Sequence, residues 1–200
     1  MAIRSTFLSG TPAKAVLALA MTALTLLATP GGASATTVAD GGRPDFAAQA
    51  RTAGLDGAQA KGLQKRVDSY LAKEAGTQVA VNKITLAKGG EILLTLPGEK
   101  YAHELGAPQA TPATAASGCP YTYVCAYSGE WYTGDVKQLF TCNTLNSIPW
   151  TGTGSWINNQ RAELHARFYD VNRNVGWTSP GGYSDDPDAP WGWVYYLSPC

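Results

Sequence analysis

The sequence CPYTYVCAY, residues 119–127, opens the part of the chain that decides the fold. It contains two of the four cysteines of the 200-residue chain, and the other two follow it, as do all six tryptophans. It is also the first of several aromatic and β-branched runs that alternate with turn clusters such as Pro180-Gly181-Gly182. The later runs lie at residues 136–141, 162–169 and 191–197. This spacing predicts a mainly β fold, either a sandwich or a small barrel.

The four cysteines predict two disulfides, because residues 1–35, described below, indicate export to an oxidising environment. A zinc site is the alternative, but the chain has no Cys-x-x-Cys pair and only two histidines, His103 and His165. Four cysteines allow three connectivities. We favour Cys119–Cys125, which would clip the turn at Pro120, together with Cys142–Cys200, which would tie down the last residue.

Residues 1–35 resemble a signal peptide. Arg4 and Lys14 give a positive start, residues 15–28 form an apolar run, and Ala33-Ser34-Ala35 supplies the small-residue cleavage pattern. The apolar run is shorter than the roughly 20 residues that span a bilayer. We therefore expect a secreted, extracellular protein whose mature form has no membrane segment.

Residues 36–105 predict a small helix-plus-hairpin segment. Asp56 and Gln59 match a capping box at the start of a helix. Two β-rich runs, 77–86 and 91–96, are joined by a turn at 87–90. A segment this small can form little hydrophobic core of its own. It therefore either packs against the rest of the chain or is a pro-region. Residues 106–118 form an Ala/Thr/Pro linker, and residues 119–200 are the predicted disulfide-braced domain.

The charge balance argues against a protein that binds the phosphate groups of nucleic acids electrostatically. Without Arg4 and Lys14, 15 acidic side chains face 13 basic ones, and no basic patch is present. We therefore expect no nucleic-acid partner.

Two segments look like copies of one motif. Residues 126–134 and 167–176 each combine strand aromatics, a polar hairpin and a glycine, and the glycines Gly134 and Gly176 lie 42 residues apart. This pattern resembles the βγ-crystallin Greek key, in which a glycine lets the first hairpin fold over onto the sheet. The resemblance implies a double Greek-key sandwich in residues 119–200.

The match is closer to one branch of that fold. CPYTYVCAY resembles the Cys-Pro-x-x-Tyr-x-Cys-x-Tyr opening of secreted actinobacterial proteins of peptidase inhibitor family thirty-six, the Streptomyces metalloproteinase inhibitor type. Residues 156–162, WINNQRA, resemble that family's mid-domain segment. The resemblance implies a monomeric inhibitor that binds a secreted metallo-endopeptidase through a rigid exposed loop. No reactive-site residue is carried over, so the inhibitory loop is left unassigned.

Two segments approach the calcium-binding pattern of βγ-crystallins, in which two Asn or Asp residues precede a hydroxyl ligand. Asn158-Asn159-Gln160-Arg161 and Asp185-Asp186-Pro187-Asp188 are each followed by alanine where the hydroxyl should be. We interpret both as structural turns and expect no cofactor. Asp185, Asp186 and Asp188 are the weak metal candidates.

No constellation of residues points to an enzyme. The chain lacks the Gly-x-Ser-x-Gly and His-Glu-x-x-His motifs. Glu163 and His165 would share a face of a strand, and we interpret them as solvated.

The aromatic residues offer an alternative function, a secreted carbohydrate or cell-wall binding module. Core packing is the competing interpretation, because a small domain buries its large aromatic rings. We expect most of seven rings to be core and one or two to be exposed, with Trp191 and Trp193 sharing one face of the last strand. The seven are Trp131, Tyr132, Trp150, Trp156, Trp177, Trp191 and Trp193.

Overall fold

The computed structural model describes residues 45–107 and 118–200. The predicted signal peptide, residues 36–44 and most of the predicted linker lie outside the described residues. Two helices, α1 (Phe46–Thr52) and α2 (Gly57–Leu71), precede eleven strands. The strands are β1 (Gly76–Ala80), β2 (Lys83–Leu86), β3 (Glu91–Leu93), β4 (Tyr123–Tyr127), β5 (Val136–Leu139), β6 (Asn146–Ser147), β7 (Thr153–Asn159), β8 (Arg167–Tyr169), β9 (Val175–Thr178), β10 (Ser184–Pro190) and β11 (Tyr196–Ser198).

The helix start and the hairpin turn predicted in the first part are confirmed. The Asp56 side chain accepts from the backbone N–H groups of Ala58 and Gln59, and the Gln59 side chain accepts from the Asp56 N–H. Leu63 and Val67 then face the core. The turn at 87–90 joins β2 to β3, but the run 77–86 is two strands rather than one, because the chain turns between β1 and β2. No helix among the described residues is long and apolar enough to cross a membrane.

The strands form two antiparallel sheets, which confirms the mainly β prediction. One sheet has seven strands in the order β1-β2-β3-β5-β4-β7-β10, and the other has four in the order β6-β11-β8-β9. The first sheet crosses the predicted linker, because Glu91, Ile92 and Leu93 of β3 pair with Gln138, Lys137 and Val136 of β5. Residues 45–107 therefore supply three strands of a sheet that residues 118–200 continue.

The strands after the linker repeat one pairing order. In β4–β7 the first strand lies between the second and the fourth, and the third strand, β6, joins the other sheet. In β8–β11 the first strand again lies between the second and the fourth, and the third strand, β10, crosses to the larger sheet. Each four-strand unit thus contributes its third strand to the sheet that contains the other three strands of the other unit.

Two polar clusters, each centred on a buried charged side chain, hold the first part of the chain to β5 and to the residue before it. Asp135 accepts from Thr95 N at 3.0 Å, from the Tyr70 hydroxyl at 2.9 Å and from the Arg66 guanidinium. The Lys137 side chain has no exposed surface; its ammonium contacts Glu74 and donates to the Ser147 carbonyl at 2.6 Å. Buried charges persist in proteins when they are paired in this way.

The two disulfides are Cys119–Cys125 and Cys142–Cys200, the pairs that the sequence favours. Cys119–Cys125 lies in a small cluster on one face of the seven-stranded sheet, with Val136 and Ile157. Cys142–Cys200 joins the loop after β5 to the end of the chain. Both braces therefore lie after the predicted linker.

The last predicted strand is wrong at its start. Trp191–Trp193 is a short 3-10 helix, and the strand β11 begins at Tyr196. The two tryptophans therefore do not share a strand face. Trp191 is buried in the core, where its indole N–H donates to the Tyr127 carbonyl at 2.8 Å, whereas Trp193 is exposed.

Candidate functional site

The turn and the second strand of the β8–β9 hairpin are exposed, and β9 is the only strand among the described residues in which every residue is exposed. Every residue from 171 to 178 is exposed, including Val171 at 55%, Val175 at 51% and Trp177 at 42%. β9 is the edge of its sheet and pairs only with β8 among the described strands. Its outer side therefore presents backbone groups that a partner strand can use.

Asp170 holds the turn of this hairpin in one conformation. Its carboxylate accepts from Asn174 N at 2.8 Å and from the Asn174 side chain at 3.1 Å. Its backbone N–H donates to Asn174 O, and its carbonyl accepts from Arg173 N, each at 3.0 Å. Arg173, which has a positive φ of 65°, stacks over the Tyr196 ring at 5.7 Å. The exposed turn is thus fixed by its own hydrogen bonds.

We expect the order of this turn to depend on pH. The Asn174 backbone N–H, followed by its side chain, lowers the pKa of Asp170. A group whose pKa is lower in the folded state stabilises it above the unfolded pKa, about 3.9, and loses that effect as the pH falls through the folded pKa. Amide exchange at Asn174, corrected for its intrinsic pH dependence, should therefore become less protected below about pH 4. Asp170→Asn should remove this pH dependence; an unchanged profile in that variant would contradict the assignment.

An aromatic cleft opens beside the hairpin, with a volume of about 370 Å³. It lies between the two edge strands β9 and β10. Trp156, Phe168 and Trp177 form a mutual cluster with ring centroids 5.2–5.5 Å apart. Asp186 on β10 lines the cleft as well. Ten residues line it: Trp156, Phe168, Gly176, Trp177, Asp186, Ala189, Pro190, Trp191, Trp193 and Val194.

The exposure of the rings differs from the expectation of one or two exposed. Trp131, Trp177 and Trp193 are exposed, at 63%, 42% and 37%. Trp156 and Trp191 are buried, and Trp150 and Tyr132 are intermediate. Trp131 is not among the residues that line the cleft. The exposed rings therefore do not form a single flat platform.

The hairpin between β4 and β5 contains the first predicted glycine. Gly134 has a φ of 79°, and a Cβ there would lie 2.1 Å from Ser128 Oγ and 3.2 Å from Gly129 N. Trp131 and Tyr132 also have positive φ, at 53° and 61°. Buried Ser155 fixes this conformation: its hydroxyl accepts from Tyr132 N at 2.9 Å and donates to Gly129 O at 2.7 Å.

Gly134→Ala should destabilise the protein more than Gly152→Ala. The φ of Gly152 is 80°, almost the same, but no atom lies within 4 Å of a Cβ built there. Gly152→Ala should therefore cost only the left-handed conformation, about 1–2 kcal/mol. Gly134→Ala should add the cost of overpacking against Ser128, a further 1–3 kcal/mol or so. Urea unfolding of both variants measures the difference, and equal losses would contradict the role of Gly134.

Gly176 does not play the role of Gly134. It lies within β9 and does not have a positive φ. A Cβ there would come within 2.3 Å of the Trp193 ring, so its missing side chain makes room for that ring. In the second hairpin Arg173, not a glycine, takes the positive φ at the turn. The two glycines are therefore not equivalent. Gly134 supplies a positive φ in its hairpin, whereas Gly176 makes room for the Trp193 ring.

The predicted metal candidates have other contacts. The Asn158 amide is buried and donates to Leu164 O at 3.0 Å and to Ser179 Oγ at 3.2 Å. Asp185 accepts from the Tyr132 hydroxyl, and Asp186 accepts from Asp188 N at 2.9 Å. Among residues 45–107 and 118–200, no group of three His, Cys, Asp or Glu side chains is placed to hold a metal ion.

Glu163 and His165 do not lie on a strand as expected, because β8 begins at Arg167. Leu164 N donates to Arg161 O in a turn, and His165 Nδ1 contacts the Ser179 carbonyl at 3.0 Å. Glu163 pairs with Arg161 on the surface at 3.6 Å. The two side chains are thus engaged separately.

The sequence places Asp186 in a turn, as a weak metal candidate, and does not predict the strand β10 that brings Asp186 and Pro190 to the cleft. Asp186 and Pro190 lie in a segment with three aspartates and two prolines, which indicates a turn rather than a strand. Pairing with β7 and a bulge between Asp186 and Ala189 make it an edge strand.

Comparison with known proteins identifies no relative. A scan against protein-family models, a search among curated proteins and a search among solved structures each return no match.

Proposed function

We propose that this chain is a secreted inhibitor of extracellular metallo-endopeptidases and that its β8–β9 hairpin enters the protease cleft. The observation that carries the proposal is the exposed, internally fixed turn at Asp170–Asn174 followed by the exposed edge strand β9. The family resemblance of residues 119–127 supports the same function. Two disulfides are consistent with an extracellular location.

The geometry suits a cleft that binds extended peptides. A partner can add a strand to an exposed sheet edge, gaining main-chain hydrogen bonds, and its pockets then select alternate side chains. The turn residues are already fixed by Asp170, so little conformational entropy is lost on binding. Val171 lies at the tip and Val175 and Trp177 lie on the edge, where they offer apolar contacts.

An inhibition assay tests the proposal. We expect the purified protein to inhibit a thermolysin-like protease at sub-micromolar concentration, an affinity ordinary for interfaces of standard size. Val171→Asp should weaken inhibition about tenfold or more, since it places a charge at the centre of the contact. Val79→Asp is the matched control, because Val79 is an exposed valine on β1 at 39%. If a panel of such proteases is uninhibited at high excess, the proposed inhibitor function is wrong. If both variants inhibit equally, the assignment of the β8–β9 hairpin as the segment that enters the cleft is wrong.

We further propose that residues 119–200 have the βγ-crystallin double Greek-key fold. The strand exchange between the units β4–β7 and β8–β11 supports this, as does the folded hairpin around Gly134. We expect the protein to be monomeric, which its mass in solution tests.

A carbohydrate or cell-wall binding module is the second candidate. The observation that favours it is the exposure of Trp131, Trp177 and Trp193. It stays second because Trp131 lies apart from the cleft that the other two line. Retention on chitin, cellulose or peptidoglycan that is lost in Trp177→Ala would support this candidate over the inhibitor.

A further inference from the structure

The aromatic cleft contains one charged side chain, and that charge is not neutralised. Asp186 pairs across the sheet with Trp156, a residue whose ring faces the core, so both side chains lie on the inner face of the sheet. Its carboxylate accepts one hydrogen bond, from Asp188 N. Within the described ranges no Lys, Arg or His forms an ion pair with it.

The basic residues of the same part of the chain are engaged elsewhere. Four Lys or Arg side chains occur after the predicted linker. They contact other groups: Lys137 with Glu74, Arg161 with Glu163, Arg167 with Asn143 and Arg173 with Tyr196. All four side chains thus have contacts other than one with Asp186.

We propose that the cleft binds an organic cation of the ammonium type, through the tryptophan faces and Asp186. A cation over an indole face is attracted by the ring quadrupole, more strongly when water is excluded. Trp177 and Trp193 are partly exposed at the cleft, so their surfaces are available to a ligand. Gly176 positions the second of them, because the Trp193 ring lies directly on its backbone.

Two other ligand classes fit the lining less well. A sugar presents many hydroxyl groups, but Asp186 is the only hydrogen-bond acceptor among the lining side chains. A buried sugar would therefore leave polar groups unpaired, which is costly. A neutral apolar ligand would exclude water from the Asp186 carboxylate without supplying a partner. A cation satisfies both the rings and the carboxylate.

The proposal does not rest on protease inhibition, and a titration of the full-length mature protein tests it. The probe is tetramethylammonium chloride at constant ionic strength, read by tryptophan fluorescence and by indole N–H chemical shifts. A neutral molecule of similar shape, tert-butanol, is the ligand control. We expect saturable binding of the cation, with shifts at Trp177 and Trp193, and no saturable binding of the alcohol.

Matched variants separate the carboxylate from general charge. Asp186→Asn should weaken binding about tenfold or more, which corresponds to one desolvated charge contact. Asp188→Asn removes the same charge two residues away and should leave binding unchanged. The same titration with Nα-acetyl-lysine-methylamide tests whether the lysine side chain of a peptide can supply the ammonium group. The proposal is overturned if no cation saturates, if both variants bind alike, or if chitin oligomers bind independently of Asp186.

Discussion

Asp135→Ala is expected to lower the free energy of unfolding by about 2–4 kcal/mol, because it leaves two buried donors without their acceptor, while the Arg66 side chain is 40% exposed and can be hydrated. The Asp135 carboxylate accepts from Arg66, Tyr70 and Thr95, and all three belong to the first part of the chain. Alanine would leave the buried Thr95 N–H and the Tyr70 hydroxyl without this acceptor. Burial, and then the charge of Asp135, raises the pKa of Tyr70, so its hydroxyl stays a donor at neutral pH.

Asp185→Ala is the matched control for this prediction. Asp185 also accepts from a tyrosine hydroxyl, that of Tyr132, but at the surface of the molecule. Its loss should change stability by about 1 kcal/mol or less. Urea unfolding measures both variants. Equal effects would mean that Asp135 does not join the two parts of the chain.

The second large effect concerns the buried ion pair of Lys137 and Glu74. Burial lowers the pKa of Lys137, and the Glu74 carboxylate opposes this. Lys137→Met or Glu74→Met alone should each destabilise the protein by about 3–5 kcal/mol, because each leaves the other charge buried without its partner. The double variant should cost far less than the sum, since replacing a buried pair by apolar groups is often close to neutral.

Arg161→Met controls for the loss of a basic side chain. The Arg161–Glu163 pair is 3.6 Å apart and about two-thirds exposed on both sides, so the change should be within about 1 kcal/mol. Thermodynamic cycles from denaturant titrations give the coupling energy. Additive losses in the double variant would contradict the buried pair.

Together these contacts bear on the pro-region alternative for residues 36–105. β3 covers the edge of β5, and Glu74 and Arg66 neutralise charges on and beside that strand. Removing the segment would expose the buried Lys137 side chain and an unpaired sheet edge. We therefore expect residues 45–107 to stay with the folded protein.

Local signals in the sequence predict the elements whose cause is local. The capping box at Asp56, the turn at 87–90 and strand β4 all follow from neighbouring residues. β7 was not predicted, because it is buried on both faces and shows no alternation of apolar and polar residues. β10 was not predicted, because prolines and aspartates disfavour a strand unless it lies at an edge.

The joining of the two parts depends on residues far apart in sequence. In the sequence, Lys137 looks like an ordinary polar position on the exposed face of a strand. Its partner Glu74 is 63 residues away. Residues 167–176 identify the second hairpin as a copy of the first, but the motif does not indicate which residues fix its turn. Asp170 fixes that turn through Asn174, so the copy needs no fold-over glycine.

Amide hydrogen exchange of the protein, free and bound to a metallo-endopeptidase variant that cannot cleave, tests the central claim most directly. If the β8–β9 hairpin enters the protease cleft, the amides of residues 171–178 should become protected in the complex, while the exposed hairpin around Trp131 stays unchanged. Protection at the Trp131 hairpin instead, or no change at residues 171–178, would contradict the account.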